Sequence, residues 1–431
     1  MVAYAFINIW GERVGAIAWD KDIEVASFEF EPNFIKNNWD LAPLKMPIDE
    51  AKGRIFSFPE LRGNSTFKGL PGLLADVLPD KYGNALIDTW LTRHGRPTGS
   101  LNPIEMLCFI GTRGMGAIEI EPANPKTTDA SSKIELGNLI DIAEKILSGR
   151  QDFNVNMSDS EEKALLDILK IGTSAGGARA KALIAYNPKT REIRSGQADA
   201  PNDFSHWLIK FDGVTDKQFG ASSGYGRVEM AYYLMAIDAE IEMMESTLIE
   251  ENGRAHFMTK RFDRELGNGK IHVQSFCAIQ HYDFNNVDFY SYEQLFETMR
   301  LLRLSYPQAE QLYRRMVFNV IGRNCDDHTK NFAFIMNKTG TWKLSPAFDI
   351  CHAYRPHSEW VSQHALSING KRKNISKDDL LEVAKNMNIK KPDIIIDRIN
   401  DIFSNWAVYA NKVYVDESLK EAIGKTLILY K

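Results

Sequence analysis

Residues 319–350 read NVIGRNCDDHTKNFAFIMNKTGTWKLSPAFDI, and the reading of this stretch decides the fold. Asp326 and Asp327 stand at its head, Asn331 follows, and Asp349 closes it. The run FAFIMNKTGTWKL between them reads as two short strands about a turn at Gly340, which would bring Asp349 back beside Asn331. Carboxylate and amide oxygens are hard ligands of the kind that hold Mg²⁺ on nucleotide phosphates, and phosphoryl transfer also needs a carboxylate near the attacking hydroxyl. Taken singly, each acidic residue reads as a cap or a solvated turn. Their joint spacing carries the signal. His328 reads first as a hydrogen-bonded loop histidine.

In protein kinases a catalytic-loop Asp precedes a metal-binding Asn by five positions, H-R-D-x-x-x-x-N. Asp326 and Asn331 keep that interval. An independent feature is Gly172–Lys181, GTSAGGARAK, where small residues would let backbone N–H groups approach phosphate oxygens and Arg179 and Lys181 add positive charge. It matches neither the Walker loop nor G-x-G-x-x-G, so alone it reads as a glycine turn. Lys210 closes the apolar strand HWLIKFD, where an ammonium must find water or a partner. Glu229, on the following helix, is its natural partner. A snorkelling edge lysine is the plainer alternative. Phe257 and Phe262 read as core, with Phe262 also suited to face an adenine.

Outward from these motifs, the first 50 residues alternate apolar and polar as strands do, with a hairpin turn at Gly11–Glu12. Helical spacing begins near Phe67, breaks at Pro79 and restarts at Asp80, and NPIEMLCFIG gives a third helix. Residues 122–133 have the composition of a linker. Helical spacing resumes in IELGNLIDIAEKILSG and SEEKALLDILKIG, and strands follow at ALIAY and HWLIKFD. A long helix, GYGRVEMAYYLMAIDAEI, places Met230, Tyr233, Leu234 and Ile237 on one face. HFMTKRFDRE gives another strand, and the chain from Tyr292 onward is mostly helical. Segregated strands and helices argue for an α+β fold.

The 431 residues, 44% hydrophobic and 25% charged, exceed what one core usually needs. A net charge of -5 argues against a broad nucleic-acid surface. No apolar run approaches the ~20 residues of a membrane span, and the N-terminus has no signal-peptide pattern. Cys108, Cys277, Cys325 and Cys351 are scattered without a C-x-x-C pair, which suits buried thiols in a reducing cytoplasm.

In this order, the motifs resemble the HipA family of bacterial serine/threonine kinases, the toxins of type II toxin–antitoxin modules. FKGLPGLLADVLPDKYGNALID resembles the family's N-terminal segment, GGARAKALIAY its nucleotide loop, and RAHFMTKRFDR its hinge strand. NVIGRNCDDHTKNFAFI and LSPAFDI resemble its catalytic and metal segments, and HALSINGKRKNI its C-terminal segment. The resemblance implies a bilobed protein-kinase-like fold with an N-terminal β-rich subdomain (1–122), a nucleotide-binding lobe (134–262) and a mostly helical C-terminal lobe (263–431). It implies ATP and Mg²⁺, with Asp326 catalytic and Asn331 and Asp349 on the metal. Lys210 would contact the phosphates, supported by Lys181 and the loop around Ser174, Gly176, Gly177, Ala178 and Arg179, with Glu229, His328 and Lys330 nearby. Lys260, Arg261 and Phe262 would line the adenine hinge, where Lys260 replaces a common Glu. Ser174 matches the serine that the family autophosphorylates, and Thr173 is an adjacent acceptor. The implied partners are a separate small helix-turn-helix antitoxin, HipB-like, which binds operator DNA, and a protein substrate such as an aminoacyl-tRNA synthetase. A lipid-kinase-like phosphotransferase and a catalytically silent subunit of antitoxin–DNA complexes are the alternatives.

Overall fold

Alternation of apolar and polar residues builds the first sheet. In β1 (Tyr4–Ile9), Ala5, Ile7 and Ile9 point into the core while their neighbours face outward. Gly11, at φ +85°, makes the turn into β2 (Glu12–Asp20). With β3 (Val25–Phe30), β4 (Ile55–Ser57) and β5 (Ile118–Glu121), these form a five-stranded sheet in the order β4-β3-β2-β1-β5. Gly15 is required by close approach, since a Cβ there would lie 2.1 Å from the Glu29 carbonyl oxygen.

The computed structural model describes residues 4–37, 39–122, 136–147, 172, 179–196, 200–216, 220–221, 223–265 and 268–430. The chain divides into two units. One comprises Met1–Leu41, Met46–Gly226 and Thr247–Val273, and the other Ala42–Lys45, Arg227–Ser246 and Gln274–Lys431. The expected helix SEEKALLDILKIG lies outside the described residues except for Gly172, and most of the expected linker lies outside them too.

In the first unit, the helix expected to restart at Asp80 does so. Lys81–Arg93 is capped by the Asp80 carboxylate, which accepts from the Gly83 N–H at 2.9 Å. Pro103–Ile110 begins with a capping box between Asn102 and Glu105. A second sheet has the order β11-β12-β8-β6-β7, built from β6 (Lys181–Tyr186), β7 (Ile193–Ser195), β8 (Ser205–Lys210), β11 (Ser246–Glu251) and β12 (Arg254–Lys260). A short ribbon pairs β9 (Thr215–Asp216) with β10 (Gly220–Ala221).

The second unit is mainly helical: Tyr292–Leu301, Tyr306–Ile321, Lys377–Met387, Pro392–Ser404, Trp406–Lys412 and Glu417–Gly424. β13 (His272–Ser275) spans the boundary between the units at Val273–Gln274, and β14 (Ala333–Met336) pairs with β15 (Trp342–Leu344) within the second. Helix Tyr225–Asp238 corrects the sequence reading of its buried face. Val228, Ala231, Tyr232, Met235 and Ala236 are its buried apolar residues, whereas Ile237 is 43% exposed and Met230, Tyr233 and Leu234 are half-buried. Small alanines let the helix sit close to its neighbours, and Tyr232 packs edge-on to Phe318, Phe403 and Trp406 while donating to the Gly322 carbonyl at 2.6 Å. The segment from His352 to Ile375 is irregular rather than helical. Among the described residues, no helix is long and apolar enough to cross a membrane.

Candidate active site

The expected hairpin is present. β14 and β15 pair antiparallel, with Phe334 opposite Leu344 and Met336 opposite Trp342, and Gly340 turns at φ +77°. Its two ends open on one cavity in the second unit, whose wall includes Asn331 and Asp349 together with Arg315, Asn319, Asn324 and Asp327. The loop before β14 and the segment after β15 also run side by side. Cys325 N–H donates to the Ala353 carbonyl at 3.1 Å, and Ala353 N–H to the Arg323 carbonyl at 3.0 Å.

Adjacent, chemically identical Asp326 and Asp327 take opposite roles. The Asp326 side chain is 52% exposed, and its backbone carbonyl accepts from Asn331 Nδ2 at 2.6 Å, which leaves the Asn331 amide oxygen for another partner. The Asp327 side chain is wholly buried. One of its oxygens accepts from the Tyr292 hydroxyl and from His364 Nδ1, each at 2.8 Å, and the other accepts from the Ala365 N–H at 2.8 Å. Burial opposes charge on His364, but the Asp327 carboxylate overrides it and raises the imidazole to about 10. The network continues inward. Asn319 donates to the Tyr292 oxygen at 3.0 Å, and Asn324 donates to the Asn319 side-chain oxygen at 3.0 Å. Asn324 also reaches the Asp349 carbonyl at 3.4 Å.

Asp349 holds φ +53°, a left-handed conformation that L side chains other than Asn and Asp seldom adopt. Beneath it, the buried Arg315 guanidinium donates to the Ser345 carbonyl at 2.7 Å, and burial lowers its pKa to about 10. His328 Nε2 stands 3.8 Å from an Asp326 oxygen. The Phe284 ring lies 5.3 Å from the His328 ring and 5.0 Å from Lys330 Nζ, so this aromatic side chain contacts both.

The second group of expected residues lies in the first unit. Lys181 and Lys210 are direct partners in the β6–β8 register, so their side chains leave the same face of the sheet. Lys181 is buried and Lys210 half-buried, with its Nζ 5.9 Å from the Phe257 ring centre. Arg179 lies over the Tyr225 ring at 4.8 Å, and Lys260 Nζ is 5.4 Å from the Trp207 ring. Phe262 is half-buried. Arg261 turns inward, where its buried guanidinium is bidentate on Asp263 at 2.7 and 2.8 Å. Glu229 is buried on helix Tyr225–Asp238 and belongs to the second unit. Thr173, Ser174, Gly176, Gly177 and Ala178 lie outside the described residues.

Residues 5–121 match the model of the HipA N-terminal domain, and residues 173–406 that of the HipA-like C-terminal domain. The chain belongs to the HipA family. Over 205 residues it is 25% identical to the putative kinase Y4dM of Sinorhizobium fredii, an overlap of 44% of this chain and 48% of that protein, so the chain spans about half the length of this curated relative. A chain from the complex of the Shewanella oneidensis MR-1 toxin–antitoxin proteins HipA and HipB with operator DNA superposes with a TM-score of 0.66. That match covers 98% of this chain and 94% of that one at 17% identity, and it is a likeness of fold. The α+β, HipA-like fold expected from the sequence is therefore present. The proinflammatory kinase CtkA of Helicobacter pylori aligns with 59% of the chain at a TM-score of 0.35 and 13% identity, too loosely to bear on the fold.

Sequence reasoning missed Asp327, Tyr292, Asn319 and His364 as parts of this candidate site. Asp327 was visible as the second of a doubled acid, but nothing local shows which of the pair is buried. His364 lies 37 residues beyond Asp327, and only the fold shows that they touch.

Proposed function

We propose that this HipA-family chain is an ATP-dependent serine/threonine kinase. The observation that carries the reading is that Asn331 and Asp349, brought together by the β14–β15 hairpin, line one cavity while the Asn331 amide is tied to the loop that presents Asp326. The donor set fits Mg²⁺: one carboxylate and one amide oxygen are hard ligands, and few in number, as suits an ion that keeps water and phosphate oxygens. When bound, Mg²⁺ supplies positive charge against the nucleotide phosphates.

The rest belongs to the chain's own residues. Lys181 and Lys210, directly opposite on one sheet face, gather positive charge of the kind that suits the ATP phosphates. Lys260 and Phe262 bound the adenine. Asp326 takes the proton of the attacking hydroxyl as its oxygen bonds to the γ-phosphorus and the bridging P–O bond to ADP breaks. The buried Asp327–His364–Tyr292 network holds the Asp326 backbone still. His328 and Lys330 flank the acceptor. Ser174 is the proposed autophosphorylation site, where added phosphate would repel ATP phosphates. A small helix-turn-helix antitoxin is the proposed partner, with operator DNA reached through it, and the proposed substrate is a component of translation such as an aminoacyl-tRNA synthetase.

Titration calorimetry tests the nucleotide site. Wild type should bind Mg·ATP, and Asn331→Ala and Asp349→Ala should each weaken it. Unaltered affinity in both variants would refute the metal assignment.

A further inference from the structure

Asp263 is 0% exposed, yet its carboxylate collects donors from two distant parts of the chain. Arg261 reaches it through Nε at 2.8 Å and Nη2 at 2.7 Å, and Arg264 through Nη1 at 2.8 Å. The Gly116 N–H donates at 2.7 Å from the end of the N-terminal domain. Arg264 returns the contact, donating to the Gly116 carbonyl at 3.0 Å and the Gly114 carbonyl at 3.2 Å. The same loop, between helix Pro103–Ile110 and β5, is held again nearby. Lys270 Nζ donates to the Thr112 carbonyl at 2.8 Å and pairs with Glu119 at 2.6 Å, and Trp10 Nε1 donates to the Lys270 carbonyl at 2.6 Å. All of these groups lie within the first unit.

Such a cluster is more than a packed core requires. Burial opposes a charged Asp263, but Arg261 and Arg264 beside it hold its carboxyl well below the usual carboxylate range. A buried ion cluster seldom adds much net stability over apolar packing, and its best-attested use is to fix one register. The register fixed here is that of the chain leaving β12. Arg261 N–H donates to the His206 carbonyl at 2.9 Å, so Lys260, Arg261 and Phe262 run from the sheet straight into the cluster.

We infer that the N-terminal domain positions the adenine-facing segment Lys260–Phe262 through the Gly116–Asp263–Arg264 joint. Asp263 and Gly116 are positioning residues for the nucleotide base and do not touch the phosphates. This rests on the reading of Lys260–Phe262 as the adenine wall given under the proposed function. Lys181 and Lys210 take no part in the joint, so base and phosphate recognition separate.

The test uses the full chain and two probes, Mg·ADP and inorganic tripolyphosphate, with binding measured by calorimetry and folding by thermal unfolding. Asp263→Asn removes the charge that compensates the two guanidinium groups. Gly116→Ala disturbs the joint from the N-terminal side, because Gly116 holds φ +77° and its Cβ would meet Val273 N at 3.0 Å. Arg264→Lys keeps the charge but loses the carbonyl contacts, and it serves if either of the others fails to fold. Each folded variant should lose about tenfold in Mg·ADP affinity while its tripolyphosphate affinity stays within about twofold of wild type. Equal losses for both probes, or unchanged Mg·ADP affinity in the folded variants, would overturn the inference. A wild type that binds neither probe would instead overturn the kinase reading on which it rests.

Discussion

Asp349 and Asp326 ask different things of their backbone. Asp349 sits at φ +53° and half-buried, so the fold holds a residue there that the chain would otherwise avoid. Asp349→Gly should therefore be more stable than Asp349→Ala by about 1 kcal/mol, because glycine adopts this conformation without a Cβ clash. Urea denaturation of the two variants checks this, and equal midpoints would remove the strain from the account. Asp326 is half-exposed, so Asp326→Ala should change stability by no more than about 0.5 kcal/mol. Its neighbour should behave otherwise. Removing the Asp327 carboxylate strands a buried imidazolium, and Asp327→Ala should cost about 3–5 kcal/mol. The spacing of Asp326, Asn331 and Asp349 was legible in the sequence because short spacing and a hairpin turn are local. The division of labour between Asp326 and Asp327 was not, because it depends on Tyr292, His364 and Ala365, all remote in the chain.

At the level of elements, the Asp327–His364 pair joins the loop at residues 323–331 to the irregular segment that follows Asp349. Arg372 extends the tie, donating to the Tyr290 carbonyl at 3.0 Å and also to the Ala365 carbonyl. Its pH dependence has a definite sign. His364 is raised from an ordinary 6.5 to about 10, so the pair's contribution is fully present below pH 6.5 and is lost as pH rises through about 10. Wild type should exceed His364→Gln in stability at pH 6, and the gap should narrow by pH 10, as read from denaturant midpoints. A gap that widens with pH would contradict a charged His364. Elements with strong local signals were legible: the Gly11 hairpin, the Asp80 cap, the helix at NPIEMLCFIG and the Gly340 turn all carry their chemistry within a few residues. The inward face of Tyr225–Asp238 was not. Its apolar residues lie on more than one side, and the choice is made by Phe318, Phe403 and Trp406 from far along the chain.

Across the whole molecule, both units bury neutral histidines. Burial lowers His256 and His272 in the first unit and His352 in the second to about 4, and it lowers His281 to about 3. Each contributes stability that is present above pH 6.5, where the unfolded imidazole is also neutral, and that is lost as pH falls through the folded value. The thermal unfolding midpoint should therefore drop steadily as pH falls from 6.5 to about 4, and a flat profile across that range would contradict the burial of these rings. The order of motifs was enough to place the chain in a family, because each motif is short and self-contained. How helix Tyr225–Asp238 joins the second unit, and how Gly116 meets Asp263, are long-range contacts that no local pattern carries. The central claim is that Asp326 supports phosphoryl transfer from ATP. Its most direct measurement is intact mass with peptide mapping after incubating the purified chain with Mg·ATP, beside Asp326→Ala. The account predicts one added phosphate on wild type, mapped to Ser174, and none on a folded Asp326→Ala; equal phosphate on both proteins would contradict it.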